Sequence, residues 1–269
     1  MSRVYSKRII TYLTGMLMLL VSQAGCTASS LPPYEANYTA KMRGIRINSE
    51  REFVETGENT YKLSWSAKAL WMRIKEWSEF KIIDDKVIPI SYHYTRKGLG
   101  SDRPVHVYFD WEKMQASGEK GKKKYSYPLE PGTVDKLSFQ VQMQLDLIRN
   151  SSLQSMEYKV AAHSGLREYK FTLEGQESLK TNLGKFDTLV FRRDKKDSTI
   201  RLYMSPEQYY LPIKVEQTGE DANTVVLKSW KSDKPEVEFA NEPLDQTPAA
   251  DDFDAEEALE DGALSLRLN

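Results

Sequence analysis

The chain has 269 residues, 40% of them hydrophobic and 11% aromatic, with 39 acidic against 38 basic side chains. Its single cysteine, Cys26, rules out an intramolecular disulfide and, by count, a zinc site built on several thiolates. It has no Gly-x-Ser-x-Gly elbow and no glycine loop opening a helix, so neither the hydrolase elbow nor a phosphate loop supplies a function.

In chain order, the first 28 residues fall into three parts. Arg3, Lys7 and Arg8 are positive, Ile9 to Val21 is uncharged and mostly apolar, and 22–28 is a small-residue run around Gln23 and Cys26. That is the form of a bacterial secretory signal, and its apolar run falls short of the ~20 residues that span a bilayer. No later segment is comparable, so the mature chain is expected in the periplasm without a transmembrane segment. The junction leaves two fates open. One is ordinary cleavage after Ala24 or Ala28; the other is acylation of Cys26, giving an outer-membrane lipoprotein with lipid attached there. Gln23 stands where the lipoprotein pattern prefers Leu.

The body, 31–232, opens at Leu31-Pro32-Pro33 and at once alternates. Tyr34, Ala36, Tyr38, Ala40 and Met42 share one face, with Glu35, Asn37, Thr39 and Lys41 on the other, the period of a half-buried strand. Tyr61-Leu63-Trp65-Ala67-Ala69 and Val105-Val107-Phe109-Trp111 repeat the pattern. Shorter versions run through 80–82, 88–92, 158–162, 169–173, 186–190, 200–202, 213–215 and 225–227. Trp71, Ile74, Trp77 and Phe80, at spacing three, read either as a helical turn or as a bulged strand. Gly57-Glu58-Asn59, Asp84-Asp85, Gly98–Gly100, Gly118–Gly121 and Gly219–Asp221 punctuate the strands as turns. The expected fold is all-β and mainly antiparallel, a large curved sheet or incomplete barrel of about a dozen strands.

One segment departs from period two. Val134, Leu137, Val141, Leu145 and Ile148 make an amphipathic stripe, predicting one helix near 134–149 with Thr133 as N-cap and its stripe against the sheet. Beyond Ser232, an acidic tail (233–269) carries 12 Asp and Glu against Lys234 and Arg267. The tail's −10 and the leader's +3 leave the body at +6 within an overall −1. With few apolar residues to offset chain entropy, the tail is expected to be disordered.

Several tracts together resemble a bacterial family of exported proteins, domain of unknown function 3108. They are Leu31-Pro-Pro-Tyr34-Glu-Ala-Asn-Tyr38, Ile88-Pro89-Ile90-Ser-Tyr92, Pro131-Gly-Thr133-Val-Asp135-Lys-Leu137-Ser138, Thr181-Asn-Leu-Gly184 and Tyr210-Leu211-Pro212-Ile213. The resemblance implies an envelope-facing β-rich body, broadly like the incomplete barrels of bacterial lipoprotein carriers. It implies no activity, catalytic residue or cofactor.

Candidate chemistry is sparse. His93, His106 and His163 read as surface or rim residues of strands, and Asp135 and Ser138 as helix-capping groups. Lys122, Lys123 and Lys124, with Arg192 and Arg193, form basic clusters beside aromatics and are the candidate anion-binding residues. Nucleic acid is excluded by the compartment, leaving lipid or anionic glycan. The sequence therefore reads as an envelope protein without catalysis, holding a lipid, glycan or envelope partner in a sheet groove lined by Trp65, Trp71, Trp77, Phe109 and Trp111. The alternatives are an assembly factor without a small ligand, or a periplasmic enzyme whose site the sequence hides. No cofactor or metal residue is assigned, and oligomeric state is left open.

Overall fold

The computed structural model describes residues 31–232, apart from 43–44, 70–71, 99–103 and 220–221. Cys26, Trp71 and the acidic tail lie outside the described residues. The first half contains β1 (Tyr34–Met42), β2 (Ile45–Gly57), β3 (Thr60–Ala69), β4 (Met72–Ile83), β5 (Lys86–Lys97), β6 (Val105–Asp110), β7 (Gln115–Lys120) and β8 (Lys123–Pro128). Then come β9 (Val134–Asp135), helix α1 (Ser138–Arg149), β10 (Ser155–Ala162), β11 (Gly165–Thr181), β12 (Gly184–Asp194), β13 (Thr199–Ser205), β14 (Leu211–Gln217) and β15 (Asn223–Ser232). A short 3-10 turn, Pro206–Gln208, joins β13 to β14.

All fifteen strands form one sheet in the order β8-β7-β6-β5-β4-β3-β2-β1-β15-β14-β13-β12-β11-β10-β9. Every neighbouring pair is antiparallel except β9 with β10. The first and last strands of the body, β1 and β15, pair at the middle, so the two halves of the chain extend outward from that seam. β8 and β9 are the two edges and share no ladder. The sheet curves without closing into a barrel.

Alternation decides which face is inside. Tyr34, Ala36 and Tyr38 of β1, Arg51 and Phe53 of β2, Leu63 and Trp65 of β3, and Ser78 and Phe80 of β4 are all buried on the concave face. Phe53 stacks on Tyr61 at 5.4 Å and on Phe80 at 6.3 Å, which fixes the packing of three adjacent strands, β2, β3 and β4. The segment around Trp77 is a strand: Ile74 and Phe80 point inward while Trp77, of opposite parity, lies on the convex face. The register slip lies on its partner: Glu79 pairs with Ser91 and Phe80 with Pro89, so the extra residue is Ile90 of β5, while β4 alternates without a break and is not the bulged strand that sequence spacing left as one option.

The helix differs from expectation in two ways. It begins at Ser138, because Val134 and Asp135 pair with Val160 and Ala161 as the parallel strand β9. Thr133 is no N-cap; its hydroxyl donates to the Glu130 carbonyl at 2.7 Å. The cap is Asp135, whose Oδ1 accepts the N–H groups of Leu137 and Ser138 at 2.8 and 2.9 Å. Ser138 Oγ accepts the Asp135 N–H in return, a reciprocal arrangement like a capping box. The helix also buries more than one stripe. Gln140, Gln142 and Gln144 are buried along with Phe139, Val141, Met143, Leu145 and Leu147, so α1 fills the hollow of the sheet instead of lying on it.

Polar tethers hold it there. Gln142 Oε1 accepts the Val87 N–H at 2.8 Å and its amide donates to the Asp85 carbonyl at 3.0 Å, beside the β4–β5 turn. Gln144 donates to the Tyr209 carbonyl at 2.9 Å, beside the β13–β14 turn. Gln140 accepts from Arg51 of β2, whose Nε donates to Tyr34 Oη at 2.8 Å. The helix is thus fastened at the end of the sheet that carries the 58–59, 84–85 and 206–210 turns. The opposite end carries the 121–122, 163–164 and 195–198 turns.

Candidate functional site

The two edges of the sheet meet through side chains. Tyr127 of β8 donates its hydroxyl to the Ala162 carbonyl of β10 at 2.6 Å. Lys159 of β10 pairs with Glu130, which follows β8. Lys120, at the end of β7, places its ammonium 3.0 Å from His163 Nε2 in the β10–β11 turn. An ammonium only donates, so that ring nitrogen is the acceptor.

At this junction, at the end away from the helix tethers, lies an open cleft of about 890 Å³. Lys120, Lys122 and Lys123 of the β7–β8 hairpin line one side and His163, Ser164 and Gly165 the other, with Tyr125, Ser126 and Tyr127 along β8. Tyr125 and Tyr127 share a face at i and i+2, their rings 6.1 Å apart and 15° from parallel. No lining residue is a carboxylate. Among the described residues, none of the three lysines has an ion-pair partner. Burial, and then the charges of Lys120, Lys136 and Arg167, hold the His163 ring below its ordinary pKa. The cleft therefore presents concentrated positive charge beside two flat aromatic faces. This is chemistry for holding an anion that also carries apolar or ring surface.

The candidate anion-binding residues are dispersed. Lys122 and Lys123 line the cleft. Lys124 has the opposite parity and stands in register with Glu119 on the convex face. Arg192 is also outward and meets two carboxylates, Asp194 at 2.8 Å and Glu174 at 3.5 Å. Arg193 turns inward and lies over the Tyr169 ring at 3.6 Å. Strand alternation makes this separation unavoidable, since consecutive residues of β12 point to opposite faces. Lys120 and His163 are 43 positions apart, and only the meeting of the sheet edges joins them.

The aromatics expected to line a groove are also divided. Trp65 is buried on the concave face, and Phe109 and Trp111 pack against the core, with the Trp111 indole N–H donating to the Pro89 carbonyl at 2.7 Å. Trp77 is on the convex face, stacked on His93. Among the described residues no helix is long and apolar enough to cross a membrane.

No curated protein sequence matches the chain. A structural neighbour is the crystal structure of a β-barrel-like protein of domain of unknown function DUF1849 from Brucella abortus. It is 9% identical, has a TM-score of 0.51, and the match covers 75% of this chain and 98% of that one. At that identity the likeness is one of fold, a curled sheet. Residues 34–228 match the family described as protein of unknown function DUF3108, and the chain belongs to that family.

Proposed function

We propose that the protein is an exported, non-catalytic binding protein of the cell envelope that holds an anionic ligand in the cleft between its sheet edges. The observation that carries this reading is the set Lys120, Lys122 and Lys123 beside Tyr125 and Tyr127, with no lining carboxylate to neutralise it. Lysines without a carboxylate partner repel one another, and a bound phosphate or carboxylate relieves that repulsion while the tyrosine faces cover its apolar part. The secretory form of residues 1–28 supports a periplasmic setting. There, anionic lipid headgroups and acidic glycans are the available polyanions. Acylation at Cys26 would place the same cleft at a membrane surface.

Co-sedimentation with phosphatidylglycerol and phosphatidylcholine vesicles tests the proposal, with a soluble acidic glycan run in parallel. Binding to an anionic species should weaken with salt. Replacing Lys120, Lys122 and Lys123 together by Ala should remove about 1 kcal/mol each, roughly a hundredfold in affinity. Retention by vesicles alone identifies lipid, and retention of the glycan alone identifies glycan. A triple variant that binds as the parent does would overturn the reading.

A further inference from the structure

On the convex face, far along the sheet from the helix tethers, β5 and β6 bring two histidines together. His93 and His106 are directly opposite each other in the antiparallel register. Their Nδ1 atoms are 2.6 Å apart, with ring centroids at 4.8 Å and planes at 63°. At that separation only one Nδ1 carries a proton, and the other offers its lone pair.

The surroundings hold both rings in place. Trp77 of β4 stacks on His93 with centroids 4.7 Å apart, and Tyr108 of β6 meets the same ring edge-on at 5.7 Å. Lys62 of β3 lies over the far ring of the sandwich, 5.8 Å from the Trp77 centroid. The backbone under His106 is fixed as well, because its carbonyl accepts the Tyr125 hydroxyl. Gly118 of β7 makes room for that bond: a Cβ there would lie 1.9 Å from the His106 oxygen and 2.7 Å from the Tyr125 hydroxyl. Both imidazoles are half-buried and reachable from solvent, and Tyr108 beside them is 49% exposed.

We infer that His93 and His106 form a two-imidazole site for a divalent transition-metal ion, with both Nδ1 atoms as ligands. Two nitrogens bound at ~2.0–2.1 Å to one ion stand about 2.9–3.4 Å apart, so the rings need open by less than about 1 Å. The ring that now donates through Nδ1 loses that proton to solvent and takes one at Nε2. Both imidazoles stay neutral, and no net proton is released. Among the described residues no group of three or more His, Cys, Asp or Glu is placed to hold a metal. The remaining positions on the ion therefore belong to water or an added ligand. Imidazole ligands and an open coordination sphere favour Cu²⁺ over the other first-row divalent ions.

The test is titration of the purified, metal-stripped protein with Cu²⁺, read by electron paramagnetic resonance and by imidazole nitrogen NMR with Zn²⁺ as the diamagnetic probe. Expected are one ion per chain, two coupled imidazole nitrogens, and zinc-induced shifts at Nδ1 of His93 and His106. His93→Gln and His106→Gln should each weaken Cu²⁺ binding by roughly tenfold or more. His163→Gln, at the separate cleft, should leave it unchanged. Binding that persists in the double variant, or zinc shifts confined to His163, overturns the inference. The NMR measurement on the parent protein decides the matter even if a Gln variant folds poorly.

Discussion

Asp135 is fully buried, and its two oxygens serve different elements. Oδ1 caps α1 through Leu137 and Ser138, while Oδ2 accepts the Ser78 hydroxyl of β4 at 2.6 Å, so one side chain ties the helix start to the far half of the sheet. Burial pushes its pKa up, and the hydrogen bonds from Ser78, Ser138 and Leu137 only partly oppose this. A carboxyl whose folded pKa exceeds its unfolded value adds stability at low pH and withdraws it as pH rises through the folded value. Asp135→Asn keeps the capping oxygen and removes the titration. The parent should therefore gain stability relative to Asp135→Asn as pH falls from neutrality towards the ordinary carboxyl range in denaturant unfolding, and a difference independent of pH would contradict this. Asp135→Ala abandons the cap and leaves buried N–H groups unpaired, at a cost of about 2–3 kcal/mol. The Pro-Gly-x-x-Asp-x-Leu-Ser tract is thus distinctive for a structural reason. Gly132 takes φ +75°, and Asp135 and Ser138 carry the reciprocal cap.

At the scale of elements, legibility follows the chemistry of the inward face. Strands whose inward residues are apolar, such as β1 and β3, declare themselves by alternation. β2 does not, although it spans 13 residues, because Ser49 and Arg51 occupy inward positions between Ile47 and Phe53. Arg51 is only 3% exposed, held by Tyr34 and Gln140, and no local pattern announces a buried guanidinium whose partners are on another strand and a helix. β7 hides for the opposite reason: Gln-Ala-Ser-Gly-Glu-Lys offers one buried side chain, Ala116, and its Gly118 reads as a turn although it lies mid-strand. The helix stripe is visible, but the three glutamines look like a solvent face. They are instead the tethers of α1. Gln142→Leu would leave the Val87 N–H buried without its acceptor, at a cost of about 1–3 kcal/mol, and each kcal/mol lowers the melting temperature by about 2–4 °C for a body of this size. Thermal unfolding checks it; a variant melting with the parent would show that these bonds do not hold the helix.

The whole molecule is a sheet that starts at its middle and ends at two unpaired edges, β8 and β9, and its candidate site lies where those edges meet. No window of sequence contains that site, since Lys120 and His163 meet only after the sheet curls; the lysine-rich hairpin tip alone is legible. The charge distribution at this scale sets the body against the tail. The +6 body ends at Ser232, and the 37 residues that follow carry −10. Eight large apolar side chains among them (Val237, Phe239, Leu244, Phe253, Leu259, Leu264, Leu266 and Leu268) are too few to offset the ~1–2 kcal/mol per residue that ordering their backbone would cost. A chain of that charge is attracted to the lysines of the cleft, and each such exposed contact contributes little and is screened by salt. Truncation after Ser232 should therefore leave the melting temperature nearly unchanged and raise affinity for phosphatidylglycerol vesicles, with the gain present at low ionic strength and absent at high. A large drop in melting temperature would instead make the tail an element of the body. Unchanged vesicle binding at low salt would mean that it does not compete for the cleft.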